Sequence, residues 1–331
     1  GKQFKFSRAE VGPLAPETEL PREFARGEIA RSGLIKDAST AATTGWRQAG
    51  HAKAKLADDE VRANHADADL SVKLTMAPGP KLRFGPLTIV GNEKVRTERI
   101  AEIAGLPEGE VYSPETLEKV AARLRKTETF RGVKVSEADQ PGPGDLLPIT
   151  LEVQELPPRR FGFGAEISTS EGVSVNTFWL HRNIFGGAER LRFDFDVENI
   201  GAKDEDIGEN YRIGAYLTRP ATLGPDSSAT SLIQLERLDE RGYIADNFDI
   251  AFGFERVLSE HLTGSIALGY RWARVEDAFG EREYSLISMP TRLIWDNRDN
   301  ELDATRGFYV NGAIRPFVGI DEMENGAQAT L

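Results

Sequence analysis

The chain contains no cysteine, which removes disulfides, thiolate metal sites and cysteine nucleophiles together. It also has no apolar run of about 18 residues, so no transmembrane helix is written into it. A transmembrane strand is only about 9–11 residues long and half of them can be polar, so the bilayer stays open by another route. Positive charge is in deficit: 41 Lys and Arg stand against 53 Asp and Glu, a net charge of −12 over 331 residues. That balance argues against nucleic acid as a partner, because phosphate contacts need basic surface. The four histidines, His51, His65, His181 and His261, are scattered without metal-ligand spacing. No G-x-S-x-G, P-loop or G-x-G-x-x-G motif occurs. Gly162-Phe163-Gly164 is no phosphate cradle, since no helical pattern follows it. The expectation is a protein without enzymatic activity, cofactor or metal. The chain opens on Gly1-Lys2-Gln3-Phe4, with neither Met nor an apolar h-region, and reads as processed or truncated there.

What is present is alternation. From about Phe161 onward, short segments alternate apolar and polar residues, as in Leu191-Arg192-Phe193-Asp194-Phe195-Asp196-Val197-Glu198 and Phe248-Asp249-Ile250-Ala251-Phe252-Gly253-Phe254-Glu255. Period two gives each strand one apolar and one polar face. Nine segments follow one another, at roughly 160–168, 172–182, 189–199, 209–219, 229–238, 246–255, 262–274, 284–296 and 307–317, and a tenth begins near Ala327. No helical pattern separates them. Two architectures accept this pattern: a soluble sandwich, or a membrane barrel with its apolar face outward.

The half before Phe161 is mixed α and β. Residues 84–156 read as strand, helix, helix, strand, strand. Leu87-Thr88-Ile89-Val90 ends at the turn pair Gly91-Asn92. A helix carries Ile100, Ile103 and Ala104 on one face and stops at Gly105. Ser113-Pro114-Glu115 opens a second helix, with a hydroxyl N-cap, proline at the first helical position and an acid on the positive dipole end. Leu117, Val120, Ala121 and Leu124 form its apolar stripe. Strands through Val133–Val135 and Ile149–Val153 close the unit around the turn Pro141-Gly142-Pro143-Gly144. Residues 1–80 look like a looser copy: a strand at Phe4 and Phe6, a helical region from Glu23 to Gln48, and strands at Ala52–Ala57 and Leu70–Met76. Pro78-Gly79-Pro80 and Leu156-Pro157-Pro158 mark the boundaries. The expected domains are residues 1–80, 81–157 and 158–331.

Connection lengths lean toward the barrel. Links after the second, sixth and eighth strands look short, whereas those after the third, fifth and seventh look longer and polar, as at 200–210 (Asp204, Glu205, Asp206, Glu209) and 274–283. Long on one side and short on the other is the habit of outer-membrane barrels. Trp179, Trp272 and Trp295 fall near strand ends, where aromatic girdles meet headgroups.

These units together resemble the POTRA (polypeptide-transport-associated) repeats and barrel of the BamA/TamA superfamily of outer-membrane assembly and translocation proteins. The resemblance rests on Tyr112-Ser113-Pro114-Glu115-Thr116-Leu117 through Phe130-Arg131-Gly132-Val133-Lys134-Val135, and on His181-Arg182-Asn183-Ile184-Phe185-Gly186-Gly187-Ala188-Glu189. Its most specific part is Asp296-Asn297-Arg298-Asp299-Asn300 followed by Asp303-Ala304-Thr305-Arg306-Gly307. Leu217-Thr218-Arg219-Pro220 and Arg241-Gly242-Tyr243 lean toward the TamA branch. The resemblance implies α+β POTRA repeats followed by an antiparallel transmembrane β-barrel, of which nine or ten of the family's sixteen strands are present. It implies placement in the bacterial outer membrane with the POTRA domains in the periplasm. It also implies partners: the bilayer, unfolded outer-membrane or autotransporter clients, and a TamB-like protein anchored in the inner membrane. The family's Arg-Gly loop motif has no counterpart here, and these residues alone are expected not to form a working barrel, because open sheet edges are intolerable in lipid.

Three groups of residues are the expected sites. Phe161, Gly162, Phe163, Gly164 and Ala165 form the first barrel strand, on the seam that opens laterally for a client strand in the resembled family. Its glycines either weaken that strand or merely relieve crowding. Val133 and Val135, and Leu70 and Val72, are expected on edge strands free to pair with an extended partner. Asn183, Gly186, Asp296, Arg298, Asp299, Arg306 and Gly307 are expected to build turns from Asp-to-backbone hydrogen bonds, an Arg–Asp pair and a glycine at positive φ. A calcium loop started at Asp299 fails, with Ala304 where Gly is needed and Val310 where the bidentate Glu belongs. A two-partner secretion pore is the alternative within the superfamily. A passive porin or adhesin is the alternative outside it, and one for which tandem POTRA units have no use.

Overall fold

A computed structural model describes residues 3–204, 206–320 and 323–331. The loop acid Glu205 and the opening Gly1-Lys2 lie outside the described residues. The chain divides into two compact units. One comprises residues 1–90, 106–122 and 134–152; the other comprises 91–105, 123–133 and 153–331.

The first unit holds strands β1 (Lys5–Gly12), β2 (Lys55–Asn64) and β3 (Asp69–Ala77) with helix α1 (Ser32–Gln48), and strand β4 (Arg83–Val90). Helices α2 (Thr97–Ala104) and α3 (Pro114–Lys126) and strands β5 (Phe130–Glu137) and β6 (Leu146–Glu155) follow in the chain. The sheet orders are β1-β3-β2 and β4-β6-β5, with the β1–β3 and β4–β6 pairs parallel. The helix does not begin at Glu23. Gly27 stands at φ +92°, and Gly27, Glu28 and Ala30 hydrogen-bond with Phe4 and Phe6 rather than along a helix, so residues 23–31 form turns, and Phe24 reaches back to meet Phe6 edge-on at 5.3 Å. Ala38 and Ala42 lie fully buried on the face of α1 that lies against the sheet, where small side chains allow close approach. The strand expected at Ala52–Ala57 lies later, at Lys55–Asn64, because residues 51–54 form a turn.

Each sheet has one edge covered at the start of its outer strand. Along β1, Phe6 N–H donates to Glu28 O (2.9 Å), and Gly27 and Ala30 donate to Phe6 O and Phe4 O (2.8 Å each). Along β4, Phe84 N–H donates to Glu110 O (2.9 Å), and Gly109 N–H donates to Phe84 O (2.8 Å). The opposite edges, β2 and β5, pair with no further strand among the described residues. A second core of Leu82, Phe84, Tyr112, Leu147 and Ile149 lies under β4 and β6. At its margin, Arg47 donates to Tyr112 Oη and to Glu137 Oε1 (2.5 Å), while Tyr112 Oη donates to the same Glu137 oxygen at 2.6 Å. Lys53 completes the cluster at 3.3 Å from Glu137. Burial, and then the Glu137 carboxylate, push the Tyr112 hydroxyl well above the ordinary tyrosine value.

The second unit is dominated by one antiparallel sheet. Its strands are β7 (Arg159–Ser168), β8 (Gly172–His181), β9 (Arg190–Ile200), β10 (Asn210–Pro220), β11 (Ser227–Glu240), β12 (Tyr243–Ser259), β13 (Leu262–Asp277), β14 (Gly280–Ser288), β15 (Thr291–Asp296), β16 (Tyr309–Gly319) and β17 (Gly326–Thr330). From β7 to β13 neighbours pair in chain order, β14 and β15 both lie between β13 and β16, and β17 pairs with β16. The segment read as one strand at 284–296 is β14 plus β15. Both pair with β13 in a single register, Gly269 with Ser288 and Ile266 with Thr291. Pro290 interrupts the ladder by its missing N–H without shifting it. The long polar links expected after the fifth and seventh strands are mostly strand. β11, β12 and β13 run 14, 17 and 16 residues, and their hairpins close at Arg241-Gly242 and Ala278-Phe279. Cross-strand pairs such as Arg237 with Asp246 (3.0 Å) and Arg274 with Glu283 (2.8 Å) carry the ladder through the polar stretch. One face of the sheet is apolar and open to its surroundings: Phe163 is 67% exposed, Phe252 53% and Leu268 64%. The other face carries Arg192, Asp194, Arg212, Glu236, Asp249 and Arg271, joined in ion pairs.

Candidate functional site

β7 has a single partner, β8, and leaves its other edge unpaired among the described residues. Phe161, Phe163 and Ala165 alternate along it with Gly162 and Gly164. The two phenylalanines are 69% and 67% exposed on the apolar face. The glycines face the polar side, and both spaces are filled. A Cβ on Gly162 would lie 2.1 Å from the Phe178 ring, and one on Gly164 would lie 2.4 Å from Asn176 Oδ1. Phe178 lies directly across from Gly162 in the register. The Arg160 guanidinium carbon is 5.4 Å from its ring centroid and the Arg192 carbon 4.4 Å, and Asp194 holds Arg192 in place by bonds of 2.6–2.9 Å. An aromatic laid over a strand glycine restores the packing the glycine lacks, and each cation over the ring adds about 0.5–1 kcal/mol. Neither glycine position has room for a side chain while Phe178 and Asn176 keep their places. Phe178 escaped the sequence reading because an aromatic on the polar face of an alternating strand looks like a misplaced residue.

The linker ahead of β7 is gripped. Arg182 N–H donates to Pro158 O (2.8 Å), and its Nη1 donates to Pro157 O (3.0 Å). Leu156 N–H donates to Thr129 O, and Thr129 Oγ1 donates to Arg182 O. In the turn that follows, Asn183 Oδ1 accepts from Ala188 N–H (2.9 Å) while its amide donates to Lys94 O (3.0 Å). Gly186 stands at φ +82° and its carbonyl accepts from Arg96 N–H (2.9 Å). Glu189 Oε2 accepts from Gly187 N–H (2.7 Å). Residues 91–105 and 123–133 thus lie at the end of the sheet that bears the β8–β9 and β10–β11 turns. There Arg123 also grips Asp226 through two bonds of 2.7 and 2.8 Å, and Lys126 meets Glu255 at 2.8 Å.

At the same end, residues 297–308 form the turn between β15 and β16. Arg298 chelates Asp296 through Nε and Nη2 at 2.8 and 2.7 Å. Asp299 accepts from the N–H groups of Thr305 (2.9 Å) and Arg306 (3.1 Å) and from the Thr305 hydroxyl (2.5 Å). Those donors, Thr305 first, draw the Asp299 carboxyl down to about 2. Gly307 sits at φ +91° with the Asn297 carbonyl where a Cβ would be, a conformation and a contact that exclude other residues. Arg306 contributes its backbone N–H to the turn.

The two expected POTRA edges diverge. Val133 and Val135 lie on β5, an edge strand. Leu70 and Val72 do not: they lie on β3, the central strand, paired on one side with Phe6 and Ala9 and on the other with Ala63 and Val61. The alternation of Leu70, Val72, Leu74 and Met76 marks a strand facing a core, and it carries no information about which neighbours flank it. The open edge of that sheet is β2. No cluster of three or more His, Asp or Glu with metal-binding geometry occurs among the described residues.

Comparison with known families gives residues 82–156 as a POTRA domain, described as a surface antigen variable number repeat, and residues 160–324 as an Omp85 superfamily domain. The chain belongs to the Omp85 superfamily. It is similar to the crystal structure of BamA from Haemophilus ducreyi lacking POTRA domains 1–3, with a TM-score of 0.72 and 14% identity over 99% of this chain and 66% of that one. It is also similar to CdiB from Acinetobacter baumannii, with a TM-score of 0.54 and 10% identity over 97% of this chain and 63% of that one. At these identities the likeness is one of fold, and this chain spans just under two-thirds of either relative. No curated protein sequence matches it. An Omp85 barrel with POTRA repeats is an outer-membrane protein whose POTRA domains lie in the periplasm. The apolar face of the β7–β17 sheet is therefore the lipid face and the charged face is the lumen side. The end holding residues 91–105 is periplasmic, and the extended β11–β14 hairpins point outward from the cell. The superfamily works in outer-membrane protein insertion and secretion, by transport and assembly rather than by enzymatic chemistry.

Proposed function

We propose that this chain belongs to an outer-membrane insertase of the TamA kind, which adds client strands at the edge of β7 and catalyses no covalent step. The observation that carries this reading is the state of β7. Its outward side chains are apolar and exposed on the lipid face, and Phe178 of β8 fills the space over Gly162 on the inner face, so β7 is a first strand held through a single hairpin. Unpaired backbone groups cost several kcal/mol each in lipid, so pairing with an incoming strand is strongly favoured. Residues 1–80 serve as a further POTRA domain, 81–157 as the last before the barrel, and 158–331 as barrel. The open edges β2 and β5, with Val133 and Val135 on the latter, receive extended periplasmic segments, including those of a TamB-like partner.

Site-specific photocrosslinking in cells tests the reading. A crosslinker in place of Phe163 should capture unfolded outer-membrane or autotransporter clients, while one in place of Leu235, equally lipid-facing but mid-sheet, should not. Equal capture at both positions would remove the insertase reading. The fold of CdiB keeps a second reading, a two-partner secretion pore. That reading expects capture at lumen-facing Gln234 instead of at Phe163.

A further inference from the structure

We propose that Arg256 and the notch around it form a binding site for one glycerophospholipid of the periplasmic leaflet, held by its phosphate diester. Arg256 shares the lipid face of β12 with Phe252 and Phe254 and lies three residues before the strand ends at Ser259, about 10 Å along the strand. That places a cation at the periplasmic margin of the apolar belt. Its neighbour Glu255 faces the other way and is engaged by Lys126. Among the described residues no carboxylate lies within ion-pair distance of Arg256, whereas Arg237 at the opposite end of the lipid face is paired with Asp246.

The surroundings of Arg256 are shaped as a cleft. Both residues directly across from it are small: Ser227 on β11 and Gly264 on β13. A Cβ on Gly264 would press on Leu258 at 3.1 Å and Leu293 at 3.3 Å, so these two leucines rise as walls over a floor without a side chain. Phe254, Ile266 and Leu223 extend the apolar lining, and Leu223 is 79% exposed. A guanidinium at the headgroup end of an apolar cleft matches an amphiphile with an anionic head and hydrocarbon tails. The planar N–H fork donates to two phosphate oxygens at once, and the Ser227 hydroxyl supplies a further donor in the same notch. Acyl chains then lie along Leu258, Leu293 and Ile266. An uncharged lipid fills the cleft equally well and leaves the guanidinium without an acceptor, so the site selects by the phosphate.

Native mass spectrometry of the intact outer-membrane protein, stripped of lipid in detergent and titrated with dioleoylphosphatidylglycerol or dioleoylglycerol, tests this. The unaltered protein should retain one phosphatidylglycerol under activation that strips dioleoylglycerol. Arg256→Gln should lower that retention roughly tenfold, the loss of a charge-assisted contact. Gly264→Leu should lower it with Arg256 intact, by filling the floor, and Arg256→Lys should keep part of it. Arg237→Gln should leave it unchanged. Each variant is first checked for heat-modifiable migration as a folded barrel, and Gly264→Leu and Arg256→Gln test the two halves of the site independently. Retention unchanged in both of those variants, or dioleoylglycerol held as firmly as phosphatidylglycerol, would overturn the proposal.

Discussion

Single residues decide two features of this chain. Asp299 accepts three hydrogen bonds in the 297–308 turn, and its carboxyl titrates near 2. A depressed folded value means that the ordering it provides is complete above the ordinary aspartate range and is lost only as pH falls through about 2. Asp299→Ala should make the turn a protease site at neutral pH: trypsin cleavage after Arg306, followed by mass spectrometry, should run faster than in the unaltered protein, and at pH 4 pepsin should show the same contrast. Gly162 is the second feature. Gly162→Val must drive the Phe178 ring off the strand, so the folded yield of the barrel should fall by about half or more, as overpacking costs roughly 1–3 kcal/mol. Phe178→Ala combined with Gly162→Val should recover part of it. The alternation placed Gly162 within the first strand, where it lies. The partner ring was illegible, because cross-strand registers are set by hairpin geometry and appear nowhere in local pattern.

Elements were legible in proportion to their periodicity. The α2 and α3 caps, with Gly105 at φ +56° and Pro114 opening the helix, lie where the residues require them. The strands of the second unit follow the alternation closely, but their ends do not. Apolar/polar alternation stops at the membrane margin, whereas the hydrogen-bond ladder continues through Arg237, Asp246, Arg274 and Glu283. Gly27 at φ +92° and the pairing of residues 27–30 with Phe4 and Phe6 explain the misplaced helix start, and the central position of β3 depends on a parallel crossover that local pattern cannot report. A pH prediction belongs to the first unit's sheets. Tyr112 has a folded value raised above the unfolded value of about 10, so its contribution is complete below that pH and is lost as pH rises through the folded value. Hydrogen exchange at β4 and β6 in the intact protein should therefore accelerate above about pH 10. Tyr112→Phe should cost roughly 1 kcal/mol at neutral pH and remove much of the alkaline dependence.

At the scale of the molecule, the absence of cysteine from these 331 residues means that a thiol introduced here competes with no other among them. With the 278–279 hairpin pointing out of the cell and the 260–261 hairpin toward the periplasm, Ala278→Cys should react with a membrane-impermeant maleimide on intact cells, and Glu260→Cys should react only after the outer membrane is opened. Reversed labelling would invert the orientation assigned here. The Arg123–Asp226 pair gives a second test. Either charge reversal alone, Arg123→Asp or Asp226→Arg, should lower thermal stability, and the double swap should restore part of it, with a coupling of about 0.5–3 kcal/mol. Neither this pair nor the Arg182 grip on the proline linker was visible in sequence, because each joins residues far apart in the chain. The covered edges of β1 and β4 carry a consequence for self-association. A sheet with one blocked edge can accept a neighbour only once, so two copies meeting open side to open side saturate each other and leave no site for a third. That limit holds for each sheet singly: the molecule carries two such sheets, so an assembly through β2 alone or β5 alone stops at two copies, whereas one that uses both edges continues.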